Sequence, residues 1–183
     1  MRIVSKIVLL TTLILGLGYF GFSQTTITLP YGESFESGIG DWTQDTGDDI
    51  DLTRRSGGTP SNNTGPSGAH DGSFYMYTEA SGGNQNSTAN FDAVFDFTSA
   101  VAPQFSFYYH MYGANMGTLR VLVDGTEEFS ISGQQQTSNG EAWTQQQLDL
   151  TAYAGSTVTI RFEITTGTSW RSDAAMLTSP SDR

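Results

Sequence analysis

Apolar side chains recur at every second residue in four stretches of this chain, and no stretch of useful length repeats at the helical spacing. Phe91, Ala93, Phe95 and Phe97 alternate with Asp92 and Asp96, and Phe105, Phe107, Tyr109 and Met111 alternate with Ser106, Tyr108, His110 and Tyr112. Leu119, Val121 and Val123 alternate with Thr118, Arg120 and Leu122; Val158, Ile160, Phe162 and Ile164 alternate with Thr157, Thr159, Arg161 and Glu163. A period of two sends successive side chains to opposite faces of a strand. Each stretch can therefore lay one face on a core and turn the other to water or a partner. Asp124-Gly125 joins two such runs as a hairpin turn, because glycine accepts a positive φ. Residues 72–80 (GSFYMYTEA) and 143–150 (WTQQQLDL) read as further strands.

Between the strands lie segments dense in Gly, Pro, Asn and Ser: 56–72, 81–88 and 133–141. The first is long for a structureless connection, so a functional or ion-ordered loop is expected there. Short strands at this spacing, with no internal repeat and no linker, predict one all-β domain of two packed antiparallel sheets.

The first residues stand apart. Arg2 and Lys6 precede an apolar run from Ile7, and the small residues Gly21 and Ser23 come just before Gln24. A cationic start, a short apolar run and small residues at the cut describe a secretory signal peptide over 1–23, cleaved after Ser23. Secretion without cysteine is physically comfortable, because a chain of this size buries ~70% of the surface its unfolded form exposes. The absence of cysteine excludes a disulfide framework, a thiol nucleophile and cysteine-held zinc. Nineteen acidic residues against eight basic give a net charge of -11, which repels a phosphate backbone and excludes a nucleic-acid role.

From Ser34 onward the order of residues becomes specific. Ser34-Phe35-Glu36 is followed by Asp41-Trp42, by 49–54 (DIDLTR), by Thr64-Gly65-Pro66, by 72–81 (GSFYMYTEAS) and by 105–123 (FSFYYHMYGANMGTLRVLV), with Trp143 beyond. In this order and spacing the chain resembles a MAM domain, the extracellular module of meprins, neuropilin-type receptors and receptor tyrosine phosphatases. The resemblance covers about 33–175, after a lead-in strand at 24–32. It implies a jelly-roll-like antiparallel β-sandwich that mediates adhesion or ligand binding outside the cell or at its surface, and it implies no catalysis. The implied partner is an extracellular protein or glycan, and contact with a membrane comes only through a host or partner protein. A jelly-roll carbohydrate-binding module, and an accessory domain from a larger secreted protease or glycosidase, are the alternatives.

Three departures from the family pattern stand out. Cysteines are absent; 49–52 (DIDL) lacks the usual aromatic; and after 170–175 (WRSDAA) the acidic Ala-Ile-Asp-Asp-Ile strand is replaced by 176–183 (MLTSPSDR). A shifted frame or an ended gene model near Ala175 is the expectation. Met176 to Thr178 then make a poor closing strand, because Pro180 cannot extend a central ladder.

Two kinds of site are expected. Related sandwiches place a calcium ion where the first strand meets the last, and Glu36, Asp48, Asp71 and Asp173 are the nominated oxygen ligands. For the ligand itself, Tyr108, His110 and Tyr112 share strand parity with polar Ser106 and form the nominated binding surface. His70-Asp71 has the form of a base and its orienter, but no nucleophile is marked nearby in the sequence, so no catalytic residue is assigned. Asn62-Asn63-Thr64 and Asn86-Ser87-Thr88 are glycosylation sequons.

Overall fold

A computed structural model describes residues 24–178; the expected signal segment 1–23 and the chain after Thr178 lie outside the described residues. The strands are β1 (Thr26–Thr28), β2 (Thr43–Gln44), β3 (Thr53–Ser56), β4 (Phe74–Tyr77), β5 (Thr88–Asp96), β6 (Gln104–His110), β7 (Thr118–Val123), β8 (Thr126–Ser132), β9 (Thr144–Asp149), β10 (Thr157–Thr165) and β11 (Ala175–Thr178). They form two sheets. The first runs β1-β5-β10-β7-β8 with β2 also on β5; the second runs β3-β4-β11-β6-β9. This is the all-β sandwich that the alternation predicts. One pair departs from it: β1 lies parallel to β5, so the first sheet is mixed.

The pattern of each strand decides which residues meet between the sheets. Phe91, Ala93 and Phe95 of β5, Val158 to Ile164 at alternate positions of β10, and Leu119, Val121 and Val123 of β7 are all buried. From the second sheet Phe105, Phe107 and Tyr109 of β6 and Met76 of β4 join the same cluster. Trp42 sits among them, its ring 5.3 Å from those of Phe91 and Phe162. Phe162 meets Phe107 edge-on at 5.1 Å, so aromatic pairs tie one sheet to the other. The Asp124-Gly125 turn joins β7 to β8 with φ of 47° and 81°, the positive pair that a two-residue hairpin demands.

The end of the chain corrects the sequence expectation. Ala175 to Thr178 form β11, paired antiparallel with β6 along its whole length and with β4 at Ala175 and Met176. It is a central strand, all four of its residues buried. Met176 fills the core and Leu177 packs against it, so the absence of the family's acids there does not spoil the strand. Pro180, the residue on which that expectation turned, lies outside the described residues.

The two outer faces differ. On the first sheet, Arg161 donates to both carboxylate oxygens of Asp92 at 2.6 and 2.7 Å and to Asp45 at 2.8 Å, beside an Arg120–Glu163 pair at 2.9 Å. The outer face of the second sheet carries instead a small buried cluster of Tyr75, Tyr77 and Ala175, roofed by Ala69 and Trp143. The roof is loop 56–72 together with the segment before β9.

Candidate functional site

Loop 56–72 is ordered by hydrogen bonds to its surroundings. Tyr75 donates its hydroxyl to the Gly57 carbonyl at 2.8 Å, and the Trp143 indole donates to the Gly68 carbonyl at 3.2 Å. Gly65 N–H donates to the Tyr112 carbonyl at 2.8 Å, and Asp173 N–H to the Thr64 hydroxyl at 2.8 Å. Gly113 makes the last approach feasible: a Cβ there would stand 2.3 Å from the Arg171 carbonyl and 2.9 Å from Thr64 Oγ1. These bonds account for the loop's order with protein groups.

Where the loop runs into β4, it closes a cavity of about 300 Å³ on the outer face of the second sheet, lined by Glu36, His70, Asp71, Tyr108 and Thr178 among others. Strand parity puts Tyr108 there, since its neighbours Phe107 and Tyr109 point into the core. His70 lies flat against Tyr108, ring centroids 3.6 Å apart and planes 18° apart. Glu36 is fixed from beneath: its Oε1 accepts the N–H groups of Ser73 and Phe74 at 2.7 and 2.8 Å. Those two bonds, Ser73 first, hold the Glu36 carboxyl below the usual carboxylate range. Gly72 takes φ 63° directly above, where a Cβ would stand 2.6 Å from the same oxygen. Asp71 Oδ1 accepts the N–H of Gly72 at 2.9 Å. Oε2 of Glu36 and Oδ2 of Asp71 have no hydrogen-bond or ion-pair partner among the described residues. Arg54 stands behind Glu36, bonded to the backbone carbonyls of Phe35 and Glu36, with its guanidinium 3.4 Å over the Phe74 ring.

A larger cleft, about 580 Å³, lies between Leu29-Pro30 and the 98–103 turn. Its carboxylate, Asp96, is already used by the Thr98 N–H at 2.8 Å and by the Thr98 hydroxyl at 2.5 Å. The rest of its lining is aliphatic or neutral polar, from Leu29, Val101, Thr28, Ser99 and Gln104 among others, and the convergent charged and aromatic groups are in the smaller cavity.

The structure divides the three nominated ligand residues. Tyr108 lines the cavity. Tyr112 stands at the end of the same run, half-buried, bridged to Gln136. His110 is sealed: none of its surface is exposed, and Trp143 packs over it at 5.7 Å. The roof hides it even though its strand parity is outward. Neither ring nitrogen has a well-formed hydrogen bond, and burial pushes His110 down to about 4. His110 is thus a buried structural imidazole and offers no surface to a ligand.

The nominated cation ligands fall into three places. Glu36 and Asp71 share the cavity. Asp48 caps the edge of β5, accepting the Asn90 N–H at 2.5 Å, and burial raises its carboxyl. Asp173 is fully buried beside Ala80, whose N–H it accepts at 3.0 Å on Oδ1. Burial pushes the Asp173 carboxyl up to about 7, and its Oδ2 has no partner. Among the described residues no three His, Asp or Glu side chains gather closely enough to hold a metal ion. Calcium with six to eight oxygens does not fit this arrangement as the shared site of those four residues.

Sequence reasoning passed over His70 as a binding residue because it looked only for a catalytic partner. The available signal was an imidazole and a carboxylate placed immediately before a strand, where both must lie at the mouth of the sheet.

The fold is shared with solved adhesin domains. The K1 cleaved adhesin domain of Lys-gingipain from Porphyromonas gingivalis superposes with a TM-score of 0.58 at 16% identity, covering 81% of this chain and 94% of that one. The K2 domain of the same protein gives 0.57 at 16% identity, with the same coverage. Among curated proteins, the mouse MAM domain-containing glycosylphosphatidylinositol anchor protein 2 is 31% identical over 145 residues, which are 66% of this chain and 15% of that protein. The rat counterpart is 30% identical over the same length. The chain thus matches only a small part of the length of these relatives. A family model, described as MAM domain, meprin/A5/mu, matches residues 34–177, from the strand-entry Ser34-Phe35-Glu36 to Leu177 in β11, and the chain belongs to the MAM domain family.

Proposed function

We propose that this chain is an extracellular, non-catalytic binding module for adhesion or ligand capture, and that it engages its ligand in the cavity of Tyr108, His70, Glu36 and Asp71. The observation that carries the reading is the cavity itself. It brings an aromatic pair and two unpaired carboxylate oxygens together on the outer face of the second sheet, at the edge of the roof. An extracellular position is supported by the residues at 1–23 and by membership in the family. It is also supported by a relative whose name places it on a lipid anchor, a modification of proteins outside the cell.

The experiment is binding of the purified protein to surfaces of intact cells and to an array of glycans, compared with Tyr108→Ala. The wild type is expected to bind a defined ligand, and the variant to bind it about tenfold or more weakly, as an anchor residue does. Circular dichroism and a thermal melt show whether the variant is folded. Equal binding by a folded Tyr108→Ala protein removes the site.

A further inference from the structure

The charged groups of the cavity are of one kind. Glu36 and Asp71 contribute acceptor oxygens only, two of them free. The hydroxyl of Thr178 is already donated to the Glu33 carbonyl at 2.7 Å, and Ser34 Oγ faces the Glu36 N–H at 3.4 Å. A sugar presents hydroxyls that donate and accept in equal measure, so it asks a site for both. Here the carboxylates only accept, and the Tyr108 hydroxyl and the His70 ring are the neighbouring groups able to donate. Guanidinium and ammonium groups are the opposite, all donor and no acceptor. The aromatic pair points the same way. The flat stack of His70 on Tyr108 spends one face of each ring, and a cation is attracted to the aromatic faces that remain.

Charge agrees with this count. Among the described residues the ion pairs are those of Arg120 and Arg161, so neither cavity carboxylate is neutralised by one. The Arg54 charge is felt at the Glu36 carboxylate, but its donors go to the carbonyls of Phe35 and Glu36 and it makes no ion pair with the carboxylate. The whole chain carries -11, a field that draws cationic partners and turns anionic ones away. A volume of about 300 Å³ stands at the small end of ligand pockets, roughly 300–1,000 Å³, which suits one side chain better than an oligosaccharide.

We propose that this cavity takes a cationic side chain, arginine in preference to lysine, presented by a protein partner. The guanidinium bridges Glu36 Oε2 and Asp71 Oδ2 while its plane rests on the aromatic pair. Arginine is favoured because its fork of donors can serve two carboxylates at once, which a single ammonium serves less well. This inference rests on the Tyr108 cavity being the ligand site.

The test uses fluorescence anisotropy with labelled peptides of one spacing, carrying arginine, lysine or citrulline; citrulline keeps the shape of arginine and loses its charge. The arginine peptide is expected to bind about tenfold or more tightly than the citrulline peptide, with lysine between, the gap shrinking in about 300 mM salt. Asp71→Asn and Glu36→Gln each weaken the arginine peptide by roughly fivefold or more. Asp51→Asn, which removes the same charge from an exposed position elsewhere, leaves it unchanged. Equal binding of arginine and citrulline overturns the inference, and so does an Asp51→Asn loss matching that of Asp71→Asn. A neutral glycan that loses binding with Tyr108→Ala but ignores Asp71→Asn overturns the cation and keeps the cavity. An arginine peptide indifferent to Tyr108→Ala overturns the cavity itself.

Discussion

The two sheets of this sandwich treat their outer faces in opposite ways. The first sheet's outward residues are mainly threonines and the charged groups of the Arg161–Asp92–Asp45 and Arg120–Glu163 pairs, with Val94 and Leu122 among them. Over β4, β11 and the end of β6 the second sheet is covered by loop 56–72 and by the segment carrying Trp143, so the outward residues Tyr75, Tyr77, Ala175 and His110 are as buried as the core, while Gln145 and Gln147 of β9 stay exposed. An open face tolerates charge because water solvates it. A roofed face gains a second apolar layer but must also bury whatever polar groups stand there. Its costly members are His110, with two unpartnered nitrogens, and Asp173, with one unpartnered oxygen. Among the described residues the roof is broken at the Tyr108 cavity, which gathers two carboxylates against an aromatic pair, and at a shallower concavity between His70, Glu141 and Trp143. Function and internal tension are therefore concentrated on one side of the molecule.

The largest effect that could break this contrast comes from Tyr75, on the outer face yet with no exposed surface, edge-on to Trp143 at 5.5 Å. If the roofed face is a second core, Tyr75→Ala costs about 3–5 kcal/mol, as aromatic truncation in an interior does, and it also strands the Gly57 carbonyl. Denaturant unfolding measures it. A loss under about 1 kcal/mol, the value of an ordinary surface substitution, makes the roof a loose cover and removes the contrast.

Acidity sharpens the same contrast through the two buried titrating groups. The Asp173 carboxyl is raised to about 7, so its contribution is fully present at low pH and is lost as pH climbs from the ordinary carboxylate range through about 7. His110 is lowered to about 4, so its contribution is present above the ordinary imidazole range and is lost as pH falls toward about 4. The two oppose each other, and wild-type stability is expected to change little between them. Asp173→Asn removes one side. The variant is expected to exceed wild type by a few kcal/mol at pH 8 and to lose that advantage near pH 4. A variant less stable than wild type at pH 8 means that the ionised carboxylate has a partner, and then Asp173 is no burden.

Legibility followed the same division. Alternation in 91–97, 105–111, 119–123 and 158–164 identified the inward residues of the four principal strands except Ala89 at the start of β5, because a half-exposed strand writes its burial into its sequence. The roofed face writes nothing of the kind. His110 has the parity of an exposed residue, and only the three-dimensional course of residues 133–143 buries it. Strand β11 was misjudged for a related reason: a central strand buried on both faces loses its alternation, and Met176, Leu177 and Thr178 then resemble no strand in particular. The cavity was half legible. Tyr108 followed from parity and Glu36 and Asp71 from their motifs, but their meeting depends on how loop 56–72 enters β4. The grouping of Asp48 and Asp173 with them had no local signal to correct it.

On the open face a smaller effect is expected. Arg161→Ala removes bonds to Asp92 and Asp45, but those groups remain in reach of water. The loss is expected to be about 1 kcal/mol or less and to shrink as salt rises. A loss that matched Tyr75→Ala and ignored salt would make the two faces energetically alike.

The smallest expected effect concerns calcium. In sandwiches that carry a structural ion, the metal ties loops to strands, and removing it lowers the melting temperature by many degrees because the binding energy is folding energy. Here the corresponding ties are hydrogen bonds from Tyr75, Trp143, Gly65 and Asp173 to loop 56–72 and its neighbours. The carboxylates nominated for the ion stand at three separate places, and among the described residues the cavity offers the carboxylates of Glu36 and Asp71. A thermal melt in calcium and in chelator is therefore expected to give the same midpoint. A drop on chelation that Asp71→Asn abolishes would place an ion at the cavity mouth, and the roof would then be held by metal where the open face is held by arginine.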